Sequence, residues 1–174
     1  MTQGVAPAGL AREGASGGYA LESASAGDFE ELLALRIRAM RESLEHLGRF
    51  DAQRARERLA EGFDPAVTQH IVVGGFRVGF LVLKPLSHSL WLKHFYIDPA
   101  HQGRGIGSRV LRDLIHRAQQ AQLPLELQAL KDSRANRFYL RHGFVATAEG
   151  EWDIDYVRLP QWPSVQVVRA LWAA

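Results

Sequence analysis

Three glycines alternate at positions 103, 105 and 107, between an apolar run and an amphipathic helical pattern, and no other stretch restricts the fold as much. The run is Leu90, Trp91, Leu92, then Phe95, Tyr96 and Ile97, and it reads as a buried strand. Asp98-Pro99 ends it, because proline cannot donate to a ladder and pushes its predecessor out of helical space. From Ile106 onward, Val110, Leu111, Leu114, Ile115 and Ala118 recur on one stripe at the helical period. Strand, glycine turn and helix together aim unpaired backbone N–H groups at an anion. The first helical turn has orphan donors and carries about half a positive charge. Glycine removes the Cβ that would keep a ligand away, and Arg104, Ser108 and Arg109 add side-chain donors. The stretch reads as a phosphate or pyrophosphate seat.

The spacing separates the known versions of such a seat. A dinucleotide fingerprint counted from Gly103 needs a third glycine where Ser108 stands, and a P-loop needs a lysine that the turn lacks. Gln102-Gly103-Arg104-Gly105-Ile106-Gly107 resembles instead the Q/R-x-x-G-x-G/A signature of the GNAT superfamily of acyl-CoA N-acyltransferases. A second segment, Ala135-Asn136-Arg137-Phe138-Tyr139-Leu140-Arg141-His142-Gly143-Phe144, resembles that family's A-x-x-F-Y-x-x-x-G-F pattern.

The 174 residues suit one domain, burying roughly 70% of the unfolded surface. A formal charge of +2 with no arginine or lysine run interleaved with aromatics gives no reason to expect nucleic acid as partner. Cysteine is absent, which removes disulfides, thiolate metal sites and cysteine nucleophiles together. No apolar run approaches the roughly 20 residues of a membrane span, and Met1 to Gly18 lacks the basic start and apolar centre of a signal peptide. The expected location is the cytoplasm.

Residues 1–18, rich in Gly, Ala and Ser, are expected to be a disordered tail. Tyr19 to Ser25 alternates as a first strand, and Asp28 is the expected N-cap of a helix carrying Leu33, Ile37, Met40, Leu44 and Leu47, stopped by Gly48. A surface helix follows from about Asp51 to Glu61. Thr68 to Val73, Gly74-Gly75 and Phe76 to Leu83 form a hairpin signal, closed by Lys84-Pro85. After the glycine turn and its helix come a strand over Leu125 to Leu130 and a helix capped by Ser133 and stopped by Gly143. Strands over Phe144 to Ala148 and Trp152 to Leu159 follow. The order β-α-α-β-β-β-α-β-α-β-β is mixed α/β, and it is also the order of the GNAT fold. The domain is expected over 19–159. Residues 160–174 form an extension whose apolar piece, Val165 to Trp172, suits a dimer contact, so monomer and homodimer both stand.

The resemblance implies acetyl-CoA, or coenzyme A, as co-substrate and two splayed central strands. The backbone of the Phe95–Tyr96–Ile97 segment would pair with the pantetheine arm. Gln102, Gly103, Arg104, Gly105, Ile106, Gly107 and Ser108 would hold the pyrophosphate, with Asn136 on the arm. Tyr139 matches the family tyrosine beside the thioester sulfur. The chain departs from many relatives at Asp132 and Ser133, where an asparagine is usual. Transfer needs an acceptor for the amine proton. His94, on the strand entering the glycine turn, is the first candidate and Glu126 the second, while a buried histidine facing the helical layer explains His94 as well. No histidine spacing suits a metal.

The acceptor side in this fold offers Glu42, Glu45, Asp51, Trp152, Asp153 and Asp155, which suit a cationic amine, against Arg38 and Arg41, which suit a carboxylate. The expected reaction is direct acetyl transfer to a small amine or amino acid. Modification of a protein N-terminus or lysine, a silent coenzyme A sensor, and a nucleotide-binding module are the rivals.

Overall fold

The computed structural model describes residues 18–161; the tail up to residue 17 and the Val165 to Trp172 dimer contact lie outside them. The strands are β1 (Ala20–Ser23), β2 (Thr68–Val73), β3 (Phe76–Pro85), β4 (Leu90–Ile97), β5 (Leu125–Leu130), β6 (Val145–Glu149) and β7 (Asp153–Arg158). The helices are α1 (Phe29–His46), α2 (Ala52–Gly62), α3 (Ile106–Gln120) and α4 (Arg134–Arg141). Their order is the one the sequence predicts. They build a seven-stranded mixed sheet in the order β1-β2-β3-β4-β5-β7-β6.

Local chemistry explains most of the boundaries. Gly74 and Gly75 both take positive φ, 58° and 81°, as a two-residue hairpin turn between β2 and β3 requires. Gly48, at φ 65°, stops α1: its N–H bonds Glu45 O at 2.9 Å and the next N–H bonds Leu44 O at 2.8 Å. Three expectations shift. Asp28 does not cap α1 directly, because a 3-10 turn over Ala26–Asp28 precedes the helix and the Asp28 carboxylate reaches back to Ser25. The first strand accordingly ends at Ser23. The third strand continues through Pro85, since proline at a strand's last position forfeits no interior ladder bond.

By its contacts the chain falls into two compact units. Among the described residues, the first holds those up to Arg41, Asp51–Val82 and His94–Ile106. Its core gathers Leu32, Leu33 and Leu35 of α1, Ala55 and Leu59 of α2, and Phe80 and Val82 of β3. Burial of each such leucine contributes roughly 1.5–3 kcal/mol. β1, β2 and β3 run antiparallel, with a bulge between Ile71 and Val72.

The second unit holds Glu42–Phe50, Leu83–Lys93 and the chain from Gly107 onward. Val110, Leu111, Leu114 and Ala118 are buried on the stripe expected for α3. β7 lies between β5 and β6 and is antiparallel to both. β4 and β5 run parallel, and among the described residues their register consists of three pairs, Leu90↔Leu125, Trp91↔Glu126 and Leu92↔Leu127.

Candidate active site

The glycine turn begins where β4 ends. The Asp98 N–H donates to Val78 O at 2.8 Å, and Asp98 Oδ1 accepts from the Ala100 N–H at 3.1 Å, capping a 3-10 turn over Pro99–His101. Two further main-chain bonds close that turn, from the His101 N–H to Asp98 O and from the Gln102 N–H to Pro99 O. Gln102 folds back, its Nε2 donating to Ile97 O at 2.8 Å, so its side chain braces the strand end. Gly103 and Gly105 then both adopt φ 75°, a left-handed conformation in which other residues are strained. A β-carbon on Gly103 would meet nothing within 4 Å.

Among the described residues, no partner outside the helix engages the N–H groups of Gly103 to Ser108. Left-handed residues set alternately with others are the backbone pattern from which anion-binding nests are built. Arg104 is exposed, Ser108 is half-buried, and Ile106 anchors the start of α3 in the core. Arg109 has a buried Nε without a partner. Its free donors, its open Gly103 and its helix terminus make the turn a candidate seat for a pyrophosphate.

The strand leading in divides its side chains. His94 is buried at 5% exposure. Its ring stacks on Tyr96 at 5.9 Å between centroids and lies 6.4 Å from Phe80. Phe95, Tyr96 and Ile97 are half-buried. Gly79 on β3 permits the close approach of this segment: a β-carbon there would collide with Tyr96 O and stand 2.9 Å from Ile97 Cδ1. Arg36 of α1 is buried too, its guanidinium 5.8 Å from the centre of the Tyr96 ring.

In the second unit, Tyr139 is 7% exposed and its ring packs edge-on to Phe138 and Phe144. Tyr156 lies 6.1 Å away, and its hydroxyl donates to Asn136 Oδ1 at 2.9 Å. Burial pushes the Tyr156 phenol up, and Glu149 adds to this. Asn136 Nδ2 donates to Leu130 O at 2.9 Å and Ser133 O at 3.0 Å, so the amide ties α4 to β5 and β7. Asp132 sits at φ 58°, which aspartate tolerates better than most residues. Ser133 stands at the expected N-cap, but its hydroxyl donates backward to Leu130 O at 2.7 Å.

The charges proposed for an acceptor are largely engaged within the protein. Arg38 pairs with Asp98 and Glu42 with Arg134, both at 2.7 Å. Asp51 caps α2 through the Arg54 N–H, and Asp155 accepts from Gln128. Sequence reasoning missed Arg49, whose guanidinium lies 3.3 Å above the Trp152 ring. It also missed a clasp in the first unit. There Asp28, Glu31 and His70 converge, but Arg77 already bonds Asp28 Oδ1 at 3.0 Å and Glu31 Oε2 at 2.7 Å. A guanidinium fills the place a cation would take.

No curated protein matches the chain. The family model described as acetyltransferase (GNAT) domain matches residues 67–146. Among solved structures, the PaiA N-acetyltransferase of Thermoplasma acidophilum, in complex with coenzyme A, superposes with a TM-score of 0.66. It is 14% identical, over 81% of this chain and 98% of that one. Ard1 of Thermoplasma volcanium gives 0.60 at 20% identity, over 83% and 99%. The ribosomal-protein-S18-alanine N-acetyltransferase of Escherichia coli gives 0.59 at 17%, over 84% and 97%. At such identities the likeness is one of fold. The seven-stranded mixed sheet and its helices share the fold of these N-acetyltransferase structures. Residues 67–146 are thus similar to the acetyltransferase (GNAT) domain. Among the described residues, no helix is long and apolar enough to cross a membrane.

Proposed function

We propose that the protein transfers an acetyl group from acetyl-CoA to a primary amine, a small amine or amino acid, by direct attack in a ternary complex in the cytoplasm. The observation that carries this reading is the row of unengaged main-chain donors from Gly103 to Ser108. These amides would hold the pyrophosphate. The three-pair register of β4 with β5 supports a role for the later part of β4, Phe95 to Ile97, in pairing with the pantetheine arm through its backbone. The thioester supplies an activated acyl carbon.

The chain's own task is proton management. An alkyl amine of pKa about 10.4 must lose a proton at a cost of about 4.6 kcal/mol at pH 7. His94 is the group assigned to receive it. Tyr139 donates a hydrogen bond to the departing thiolate. With phenol near 10 and thiol near 8.5, full proton transfer from tyrosine is uphill, so its hydroxyl polarises the leaving group more than it protonates it.

Thermal unfolding with coenzyme A, ATP and NAD tests the seat. A ligand at 100 times its Kd adds about 2.7 kcal/mol, a shift of roughly 5–10 °C for a chain of this size. Coenzyme A alone should give it. Stabilisation by ATP or NAD without coenzyme A would overturn the reading. A screen of amines with acetyl-CoA, reading thiol release, then separates an enzyme from a silent sensor.

A further inference from the structure

Resting on the transferase reading, we propose that the acceptor amine bears a carboxylate and that Arg36 binds it. Arg36 is 8% exposed, on the α1 face that buries Leu32, Leu33 and Leu35. Its Nη1 donates to Ala55 O at 3.2 Å, and its Nε is buried without a partner. A guanidinium stays charged at every physiological pH, and a buried charge lacking a counter-charge is a standing cost to the fold.

Its neighbours show the contrast. Arg38 has Asp98, Arg56 has Glu30, and Arg77 has both Asp28 and Glu31. Among the described residues no carboxylate pairs with Arg36. Asp98, Glu30, Asp28 and Glu31 are already held by other arginines, so among the described residues Arg36 is left open to a carboxylate brought by a ligand. A carboxylate meets a guanidinium's fork through two parallel bonds, which a neutral acceptor cannot make.

The position fits the reaction. Arg36 lies 5.8 Å from the Tyr96 ring, and Tyr96 stacks on His94 at 5.9 Å, so the three side chains form a file along one face of β4. A carboxylate held at Arg36 directs the amine of the same molecule along the file toward His94. The ammonium loses one proton to His94, its nitrogen bonds the thioester carbonyl carbon as the carbon–sulfur bond breaks, and the second proton ends on the thiolate. The acceptor class is therefore the amino carboxylates, free α-amino acids or short ω-amino acids.

The experiment offers the wild-type protein each amino acid beside its methyl ester and its decarboxylated amine, with acetyl-CoA, and reads thiol release. The free acids should exceed their esters and amines at least about 30-fold in kcat/KM, and comparison of α- with ω-amino acids identifies the source. Arg36→Met should remove that preference, Arg36→Lys should keep part of it, and both should still be stabilised by coenzyme A. Because the first comparison needs no variant, a failure of Arg36→Met to fold does not rescue the idea. Equal turnover of acids, esters and amines overturns this inference while leaving the transferase reading intact. Loss of coenzyme A stabilisation together with no thiol release from any amine overturns both.

Discussion

Arg38 grips Asp98 by a single oxygen: Nε at 2.9 Å and Nη2 at 2.7 Å both donate to Oδ2, while Oδ1 caps the following turn. α1 is thereby tied to the residue that opens the glycine loop. Burial pushes the Asp98 carboxyl up, but Arg38 and the Ala100 N–H outweigh it and hold the group below its usual 3.8. The pair is partly exposed, so it contributes at most about 1 kcal/mol to folding. Its larger effect should be on the loop. Asp98→Asn should weaken coenzyme A binding several-fold, up to about tenfold, measured by calorimetric titration. Unchanged affinity would mean that the loop holds its shape without the clamp.

Gly79 lets β3 lie against the backbone of β4 where a side chain would not fit. Gly79→Ala places a β-carbon against Tyr96 O and 2.9 Å from Ile97 Cδ1, with Ile71 Cδ1 at 3.3 Å. Backbone cannot yield as a flexible side chain does, and overpacking of this kind costs about 1–3 kcal/mol. Urea unfolding should show the loss, and coenzyme A should bind the variant more weakly because the displaced backbone is that of Tyr96 and Ile97.

What the sequence disclosed and what it hid divide by range. Gly48, Gly74-Gly75, Gly143 and Pro124 act within a turn, and the elements they delimit stand where the pattern predicts. Arg36 was hidden in plain spacing: it lies four residues after Leu32 and three after Leu33, on the buried stripe, where a charged residue is usually taken to face water. The role of Asp28 depends on His70 and Arg77, more than forty residues away, which no local rule reaches. β6, exposed along its whole length, carries no apolar alternation and owes its register to β7. Asn136 matched a family motif, while its hydrogen bonds to Leu130, Ser133 and Tyr156 emerge only in three dimensions.

Asp28 should make the protein acid-sensitive. The Ser25 N–H and hydroxyl, then His70 and Arg77, hold its carboxyl far below the usual range against the opposing effect of burial. A carboxyl whose folded pKa is depressed stabilises fully above its unfolded value, here 3.8, and loses that contribution as pH falls below it toward the folded value. Asp28→Asn should therefore cost about 1 kcal/mol at pH 7, as lost caps do. It should also flatten the fall in stability between about pH 5 and pH 2. Urea midpoints across that range measure both. A parallel fall in the variant and the wild type would assign the acid sensitivity to another group.

Tyr139 and Tyr156, with ring centres 6.1 Å apart, should respond to the same substitution in opposite ways. Tyr156→Phe removes the donor to Asn136 Oδ1 and with it a half-buried hydrogen bond, whose loss costs about 1 kcal/mol. Its thermal midpoint should drop while turnover per folded molecule stays near the wild type. Tyr139→Phe keeps the ring that packs on Phe138 and Phe144, and removes the hydroxyl assigned to the leaving thiolate. Loss of the hydrogen bond that polarises the leaving thiolate should slow kcat about 10- to 100-fold, with coenzyme A stabilisation unchanged. Turnover measured on an active acceptor decides between the two tyrosines: if Tyr139→Phe runs at the wild-type rate, the leaving-group role passes to another donor, and if Tyr156→Phe slows kcat, Tyr156 belongs to the chemistry.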